Sequence, residues 1–338
     1  MDSLTQIVLG ASVGEAVCGK RIGNKALVWG AVAGTIPDLD VLANPWLGMV
    51  EELSFHRSVT HSVLFALVVS PLLGWLLRRL YRHSEASFRD WTLLFFLGFT
   101  THALLDSFTT WGTQLFWPFS NYGVAFYNIF VVDPFYTVPF IALVGAAAFY
   151  HRLNPKRQWL NYGGLAVSSA YLLFSFAAKT YVNSVFERSL QAQQIQYTSY
   201  ISKPTPLNTI LWTVTAAGKD GYYTGFYSLL DDTQHVDFAF EPRHAQLVEP
   251  YKNNQKFRRL LEITKGYYTV EKTEKGIVLN DLRFGQFDGW RTEGGHYVFK
   301  YQVWQDKQED LQFEMINYRP KVDKAYFTSF LGRVAGEE

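Results

Sequence analysis

Six apolar stretches occupy the first part of this 338-residue chain, at roughly 4–18, 26–42, 62–78, 91–109, 135–150 and 159–181. A helix that crosses the hydrocarbon core needs about 20 mostly apolar residues. The third, fourth and sixth stretches meet that measure. Gln6 and Glu15 interrupt the first, and Pro37-Asp38-Leu39-Asp40 closes the second, so these two read either as spans or as a re-entrant, partly buried pair. Beyond Val182 the pattern changes. A short polar helix or linker over 183–196 leads into alternating aromatic and polar residues, with strands expected at 208–216, 221–229, 235–241, 266–272, 276–283 and 296–304. Between them Asn254 to Lys265 carries Phe257, Leu260, Leu261 and Thr264 at helical spacing. The expected architecture is an α-helical polytopic membrane bundle over 1–182, with about six transmembrane or partly re-entrant helices, followed by an α+β extracytoplasmic domain over 183–338.

Charge sharpens the division. Residues 1–182 contain 12 Lys/Arg and 10 Asp/Glu, whereas 183–338 contain 19 and 20, so a mean hydropathy near zero averages two unlike halves. Within the first half Lys20, Arg21 and Lys25, then Arg78, Arg79, Arg82 and Arg89, then Arg152, Lys156 and Arg157 fall in alternate loops. Cationic loops stay on the cytoplasmic side, which implies an outer N-terminus, six crossings and an outer C-terminal domain. Neither half has the cationic excess of a nucleic-acid binder. The opening Met1-Asp2-Ser3-Leu4 lacks the cationic region of a cleaved signal peptide and is expected to remain in the mature protein.

With that topology, several costly polar groups gather at one end. Asp38 and Asp40 end the second stretch, His56, Arg57 and His61 lie in the loop before the third, His102 and Asp106 in the outer half of the fourth, and Asp133 just before the fifth. Imidazoles and carboxylates in apolar sequence are expensive unless they pair, face water or coordinate a cation. His102 and Asp106 are four apart, on one face of a helix. Asp38 and Asp40 share a face if the Pro37 turn is extended. The single cysteine, Cys18, excludes a sulfur-rich site, and nitrogen with oxygen ligands suits Zn²⁺ first, with Mn²⁺ or Fe²⁺ as alternatives. The candidate ligands are Asp38, Asp40, His56, His61, His102, Asp106 and Asp133, for one to three ions. Asp38, Asp40, His56 and Arg57 are the candidate catalytic groups. Asp133, followed by Pro134, is either a ligand or a helix cap. Arg57 is either a phosphate clamp or the counter-charge of Asp38 or Asp40.

The ordered motifs Met1-Asp2-Ser3-Leu4-Thr5-Gln6, Gly34-Thr35-Ile36-Pro37-Asp38-Leu39-Asp40, His56-Arg57-Ser58-Val59-Thr60-His61-Ser62 and His102-Ala103-Leu104-Leu105-Asp106-Ser107 with Trp111-Gly112 resemble the membrane-bound, metal-dependent hydrolase family also called YdjM-like, over about residues 1–180. That family is similar at a distance to zinc-dependent phospholipase C and the related single-strand nucleases. The resemblance implies a zinc phosphodiesterase-like site in which His102 and Asp106 are ligands and Asp38 or Asp40 acts with His61. Many relatives carry His where this chain has Gln6, so a ligand there is absent or replaced by Asp2. The expected activity is hydrolysis of a phosphoester in a lipid or lipid-linked substrate at the outer face of the bacterial cytoplasmic membrane. The competing expectation is a non-enzymatic membrane protein, a metal-ion carrier or an envelope assembly partner.

Overall fold

The computed structural model describes residues 1–291, 295–316 and 323–337. Helix α1 (Ser3–Ile22) starts at Asp2, whose carboxylate accepts the Thr5 N–H at 3.0 Å. It ends at Gly23, where a φ of +60° turns the chain straight back into α2 (Asn24–Thr35). The two helices approach through glycines spaced four apart on each. A Cβ added to Gly10 would stand 2.2 Å from the Gly30 carbonyl oxygen, and one on Gly34 would stand 2.3 Å from that of Gln6. Side chains larger than hydrogen cannot enter such a seam, and this kind of small-residue contact holds helices together where there is no water to expel.

The segment after α2 is a 3-10 helix, Ile36–Trp46, not an extended turn. Its three-residue period stacks positions i and i+3, so Pro37, Asp40 and Ala43 form one stripe, Leu39, Leu42 and Pro45 a second, and Asp38, Val41 and Asn44 a third. Pro37 and Asp40 are buried and Leu39 and Leu42 exposed. Asp38 and Asp40 therefore lie on different stripes, which corrects the shared face expected from an extended geometry, although their carboxylates approach opposite nitrogens of the His61 ring.

Helix α3 (Met49–Phe55) and a 3-10 turn (Val59–His61) lead to α4 (Val63–Leu80). Helix α5 (Phe88–Ser107) begins with a reciprocal cap between Ser87 and Asp90. Trp91, Phe95 and Phe99 of α5 recur every four residues and pack with Ala26 and Ala33 of α2 and Ala66 and Leu77 of α4. Helix α6 (Pro134–Ala147) lays Tyr136, Phe140 and Val144 against Val8, Leu9 and Val13 of α1. Helix α7 (Pro155–Ala192) is joined to α1 by Arg157, whose Nε and terminal nitrogen each donate to one oxygen of buried Glu15 at 2.6 Å. Asn161 and Ser12 bond one turn further along. Among the described residues three helical stretches are long and apolar enough to cross a membrane, Asn24–Trp46, Val63–Leu80 and Pro155–Ala192, and the apolar α6 has 14 residues.

The chain forms two compact units, one of Met1–Pro45, Phe55–Phe176 and Pro206–Asn208, the other of Trp46–Ser54, Ala177–Thr205 and Thr209–Glu338. Helix α7 runs unbroken past Val182, and the expected polar linker is its last part, as far as Ala192. In the second unit Val182, Val185 and Phe186 of α7 pack on Trp212, Val214 and Tyr227. These belong to an antiparallel sheet of order β1-β2-β3-β4, formed by β1 (Ser199–Pro204), β2 (Leu211–Ala217), β3 (Gly221–Ser228) and β4 (Ala239–Pro242). Helix α8 (Gln255–Ile263), capped by Asn254, precedes a second antiparallel sheet of β5 (Tyr268–Lys272), β6 (Ile277–Asp281), β7 (Lys300–Gln305) and β8 (Leu311–Ile316). A last helix, α9 (Lys324–Val334), completes the unit. β1, β8, α3 and α9 have no counterpart in the expected elements. Helix α3 as far as Ser54 belongs to this second unit, where Glu51 pairs with Lys256 at 2.7 Å and the Ser54 hydroxyl accepts from Arg259 at 3.1 Å.

The glycine seam predicts a contrast between two substitutions. Gly30→Leu has to force α1 and α2 apart and should cost more than about 3 kcal/mol, above the usual overpacking range because the obstruction is backbone. Gly163→Leu, where an added Cβ meets nothing within 4 Å, should be tolerated. Thermal unfolding of the two variants in detergent measures the difference.

Candidate metal centre

Four side chains from three segments of the first unit converge. Asp38 comes from the long 3-10 helix, His61 from the turn before α4, and His102 and Asp106 from successive turns of α5. One ligand atom from each lies within 4.8 Å of all the others. His61 Nε2 is 3.1 Å from His102 Nε2, 3.4 Å from Asp38 Oδ1 and 3.3 Å from Asp106 Oδ2. His102 Nε2 is 3.4 Å from the same Asp38 oxygen and 3.8 Å from Asp106 Oδ2. An ion with bonds of about 2.0–2.1 Å to nitrogen and oxygen has tetrahedral edges of about 3.3–3.4 Å, and the five separations bracket that value. The four residues could hold one metal ion, with the remaining Asp38–Asp106 edge within 4.8 Å.

The rest of the neighbourhood orients those atoms. His102 Nδ1 lies 2.8 Å from the Gly34 carbonyl oxygen. A carbonyl only accepts, so that nitrogen carries the proton and the lone pair of Nε2 is turned into the group. This is the usual support of a ligating imidazole, and the glycine seam delivers it, because Gly34 is where α2 touches α1. His61 has the same arrangement: Nδ1 faces the Thr60 hydroxyl at 3.0 Å and the Asp40 carboxylate at 3.8 Å, leaving Nε2 inward. Burial alone pushes the His61 imidazole towards its neutral form, but hydrogen bonding and charge from Asp106 and Asp38 outweigh it and raise the pKa above the ordinary value. These carboxylates draw a proton to the place a cation would take.

Asp106 is wholly buried and has several donors. Gln6 Nε2 donates to Oδ1 at 2.9 Å and to the His102 carbonyl at 3.2 Å, and the Met1 amino group also lies against Oδ1. Arg57 Nε is 3.0 Å from Oδ2. That approach is electrostatic and off the line of a hydrogen bond, so Arg57 Nε and Asp106 Oδ2 both lack a hydrogen-bond partner among the described residues. A buried carboxylate oxygen beside two imidazoles, with the close Arg57 cation off the line of a hydrogen bond, is compatible with a place for a cation. Another Arg57 nitrogen donates to the Thr109 hydroxyl at 2.9 Å.

The remaining sequence candidates take other positions. Asp40 and His56 lie outside the four-residue group. One Asp40 oxygen is 3.1 Å from His56 Nδ1, the other accepts the Arg57 backbone N–H at 2.9 Å, and the His56 ring stands edge-on to Trp111 at 5.5 Å. Arg57 has a φ of +59°, a left-handed conformation that is strained for a residue with a side chain. Its guanidinium neutralises Asp106 and its peptide serves Asp40, so the expected side-chain pairing with Asp38 or Asp40 is replaced. Asp133 is a helix cap: Oδ1 accepts from the backbone of Phe135 at 3.0 Å and Tyr136 at 3.3 Å, and Oδ2 accepts from the Tyr171 hydroxyl at 2.8 Å. Asp2 caps α1 and does not join the group, whose N-terminal contribution is Gln6. Sequence reasoning passed over the Gly34 carbonyl, Thr109 and Trp111 as supports. Their proximity depends on tertiary packing, although Trp111 was legible as part of a motif.

The sequence profile of the family described as YdjM inner membrane protein matches residues 1–182. The chain belongs to this family. The matched segment contains every residue of the group. Inner membrane protein YbcI of Escherichia coli (strain K12) is 31% identical over 144 residues, which cover 40% of this chain and 82% of YbcI. Uncharacterized protein YfhP of Bacillus subtilis (strain 168) is 30% identical over 171 residues, covering 48% of this chain and 50% of YfhP, so the chain spans about half the length of that relative. No solved structure matches. The family description and the apolar helices support an inner-membrane location for this YdjM-family chain.

The geometry predicts which carboxylates matter to a metal. The purified protein should carry about one equivalent of a divalent ion, and His102→Ala and Asp106→Ala should each lower the affinity more than about 100-fold, beyond the 10–100-fold typical of a supporting residue. Asp133→Asn should leave the metal content unchanged. Elemental analysis of the detergent-purified variants tests both statements.

Proposed function

We propose that this YdjM-family chain is a metal-dependent hydrolase of the cytoplasmic membrane that cleaves a phosphoester in a lipid or lipid-linked substrate. The observation that carries the reading is the convergence of Asp38, His61, His102 and Asp106, whose ligand atoms lie within 4.8 Å of one another, lined by nitrogen and oxygen only. That donor set suits Zn²⁺, with Mn²⁺ or Fe²⁺ as substitutes. Such an ion, once bound, supplies a Lewis acid and a bound water acidic enough to ionise near neutral pH.

The chain's own residues supply the rest. Asp40 holds His56 by Nδ1 beside the group, a base or acid oriented by a carboxylate in the manner of hydrolytic dyads. Arg57 offsets the charge of Asp106 and, with the Asp40 anchor on its peptide, fixes the loop that carries His56 and His61. The phosphoester preference follows from the likeness of the His102-x-x-x-Asp106 pair to zinc-dependent phospholipase C and its nuclease relatives. In this reading α1, α2 with its 3-10 extension, α4, α5, α6 and α7 make six crossings, with the metal group and the C-terminal β-sheet domain on the outer side, in keeping with the alternate cationic loops. A carrier would need ligands through the depth of the bundle. Toward the other end Glu15 has both oxygens committed to Arg157, which favours chemistry at one face.

Phosphate or alcohol release from a panel of phospholipids and polyprenyl phosphates in mixed micelles tests the assignment. Activity should vanish with a chelator and return with Zn²⁺. His56→Ala should lower kcat by about 10–100-fold while metal content stays unchanged. A fully metallated protein that cleaves nothing in the panel would leave the site as a binding centre and defeat the hydrolase reading.

A further inference from the structure

Three of the four residues in the metal group are closed off: the side chains of His61, His102 and Asp106 are at most 1% exposed, whereas that of Asp38 is 23% exposed. Any molecule that reaches the group meets Asp38 first. His56 is a second partly open polar side chain beside the group, 25% exposed, with Nδ1 held by Asp40 and Nε2 turned away from that carboxylate.

What borders the opening follows from the three-residue period of the 3-10 helix. Val41 shares a stripe with Asp38, and Leu39 and Leu42 form the next one outward. These three are 46%, 49% and 65% exposed. They also belong to the apolar stretch Asn24–Trp46, one of the three able to cross a membrane. An apolar side chain left open on such a stretch suits a covering of lipid chains better than water. The polar edge of the site is thus one residue away from hydrocarbon, on the same helical element.

We propose that the centre takes its phosphate-bearing ligand laterally from the bilayer, with the anionic head at the Asp38 edge beside His56 and the hydrocarbon tail lying along Val41, Leu39 and Leu42. The occupant is a lipid phosphate monoester or diester, recognised by a head that matches the bound cation and a tail that matches the leucine stripe. A water-soluble phosphate ester has the same head chemistry and lacks the second half of the match. This inference rests on the metal-centre reading above and deepens its substrate class.

Cobalt(II)-loaded full-length protein in phosphatidylcholine nanodiscs tests it, because the visible absorption of the ion reports what enters its coordination sphere without any requirement for turnover. Titration with long-chain phosphatidic acid should shift the bands at concentrations about 100-fold lower than glycerol 3-phosphate does. The double substitution Leu39→Gln with Leu42→Gln should weaken the phosphatidic acid response about tenfold and leave the starting spectrum and the glycerol 3-phosphate response unchanged. If the double variant loses its cobalt bands, Leu42→Ala replaces it, with about a threefold weakening expected. Equal responses to both phosphates, or a phosphatidic acid response indifferent to these leucines while the bands persist, overturns lateral entry and leaves the metal centre standing. Absence of cobalt bands from the parent protein removes the metal centre and this inference together.

Discussion

A carboxylate with no water around it must be surrounded by groups that replace water, and the first unit of this protein is built to do that for Asp106. Removing an ionised carboxylate from solvent is tolerated only when charge and donors compensate it. Gln6 from the start of α1, Arg57 from the loop after α3, and two imidazoles from α5 and the turn before α4 all reach it. Each contributor fixes an element: α1 must bring its first turn to the last turn of α5, and the His56–His61 loop must fold back across both. The apolar packing of Trp91, Phe95 and Phe99 on α2 and α4 supplies most of the cohesion, but it is non-directional. The polar end of α5 sets the register in which that packing occurs.

How close the helices come is decided elsewhere, by the glycines of α1 and α2. Their contact brings the Gly34 carbonyl within reach of His102, so a feature with no chemistry of its own fixes the tautomer of a ligating ring. The inner pair of Glu15 and Arg157 plays a related part for α7: fully satisfied and bidentate, it sets orientation at little net gain in stability, as buried ion pairs generally do.

Much of this was legible in the sequence because the signals were local. The six apolar stretches correspond to α1, to α2 with its extension, and to α4, α5, α6 and α7, and the i, i+4 spacing of His102 and Asp106 survives directly as a helix face. Most strands of the second unit show in their aromatic alternation. The failures share a cause, which is that neighbours too far along the chain decide the outcome. Asp38 and Asp40 looked equivalent because an extended reading gives period two. The 3-10 geometry separates them, sending Asp38 to the Nε2 atoms of His61 and His102 and Asp40 to the His56 ring and the Arg57 peptide. Asp133 could have been a ligand or a cap, and only the placement of Tyr171 and the first turn of α6 decides. β1 carries Lys203 and Pro204 and is too polar to announce itself, and the seven-residue α3 is too short for a period to emerge. The glycines four apart on α1 and α2 were visible and passed unread, because their meaning depends on the partner helix.

Arg57 holds a backbone angle that its own side chain disfavours; Asp40 accepts that residue's N–H, and the Gln114 N–H donates to its carbonyl. His56 precedes the cocked peptide and His61 follows it by four residues, so these holds set the span between a ring at the rim and a ring in the interior. Damage to Asp40 would thus travel through the main chain before it was felt as missing charge. The loop would lose one of the holds on its left-handed turn, and the fixed spacing of the two rings would loosen even though neither had been altered.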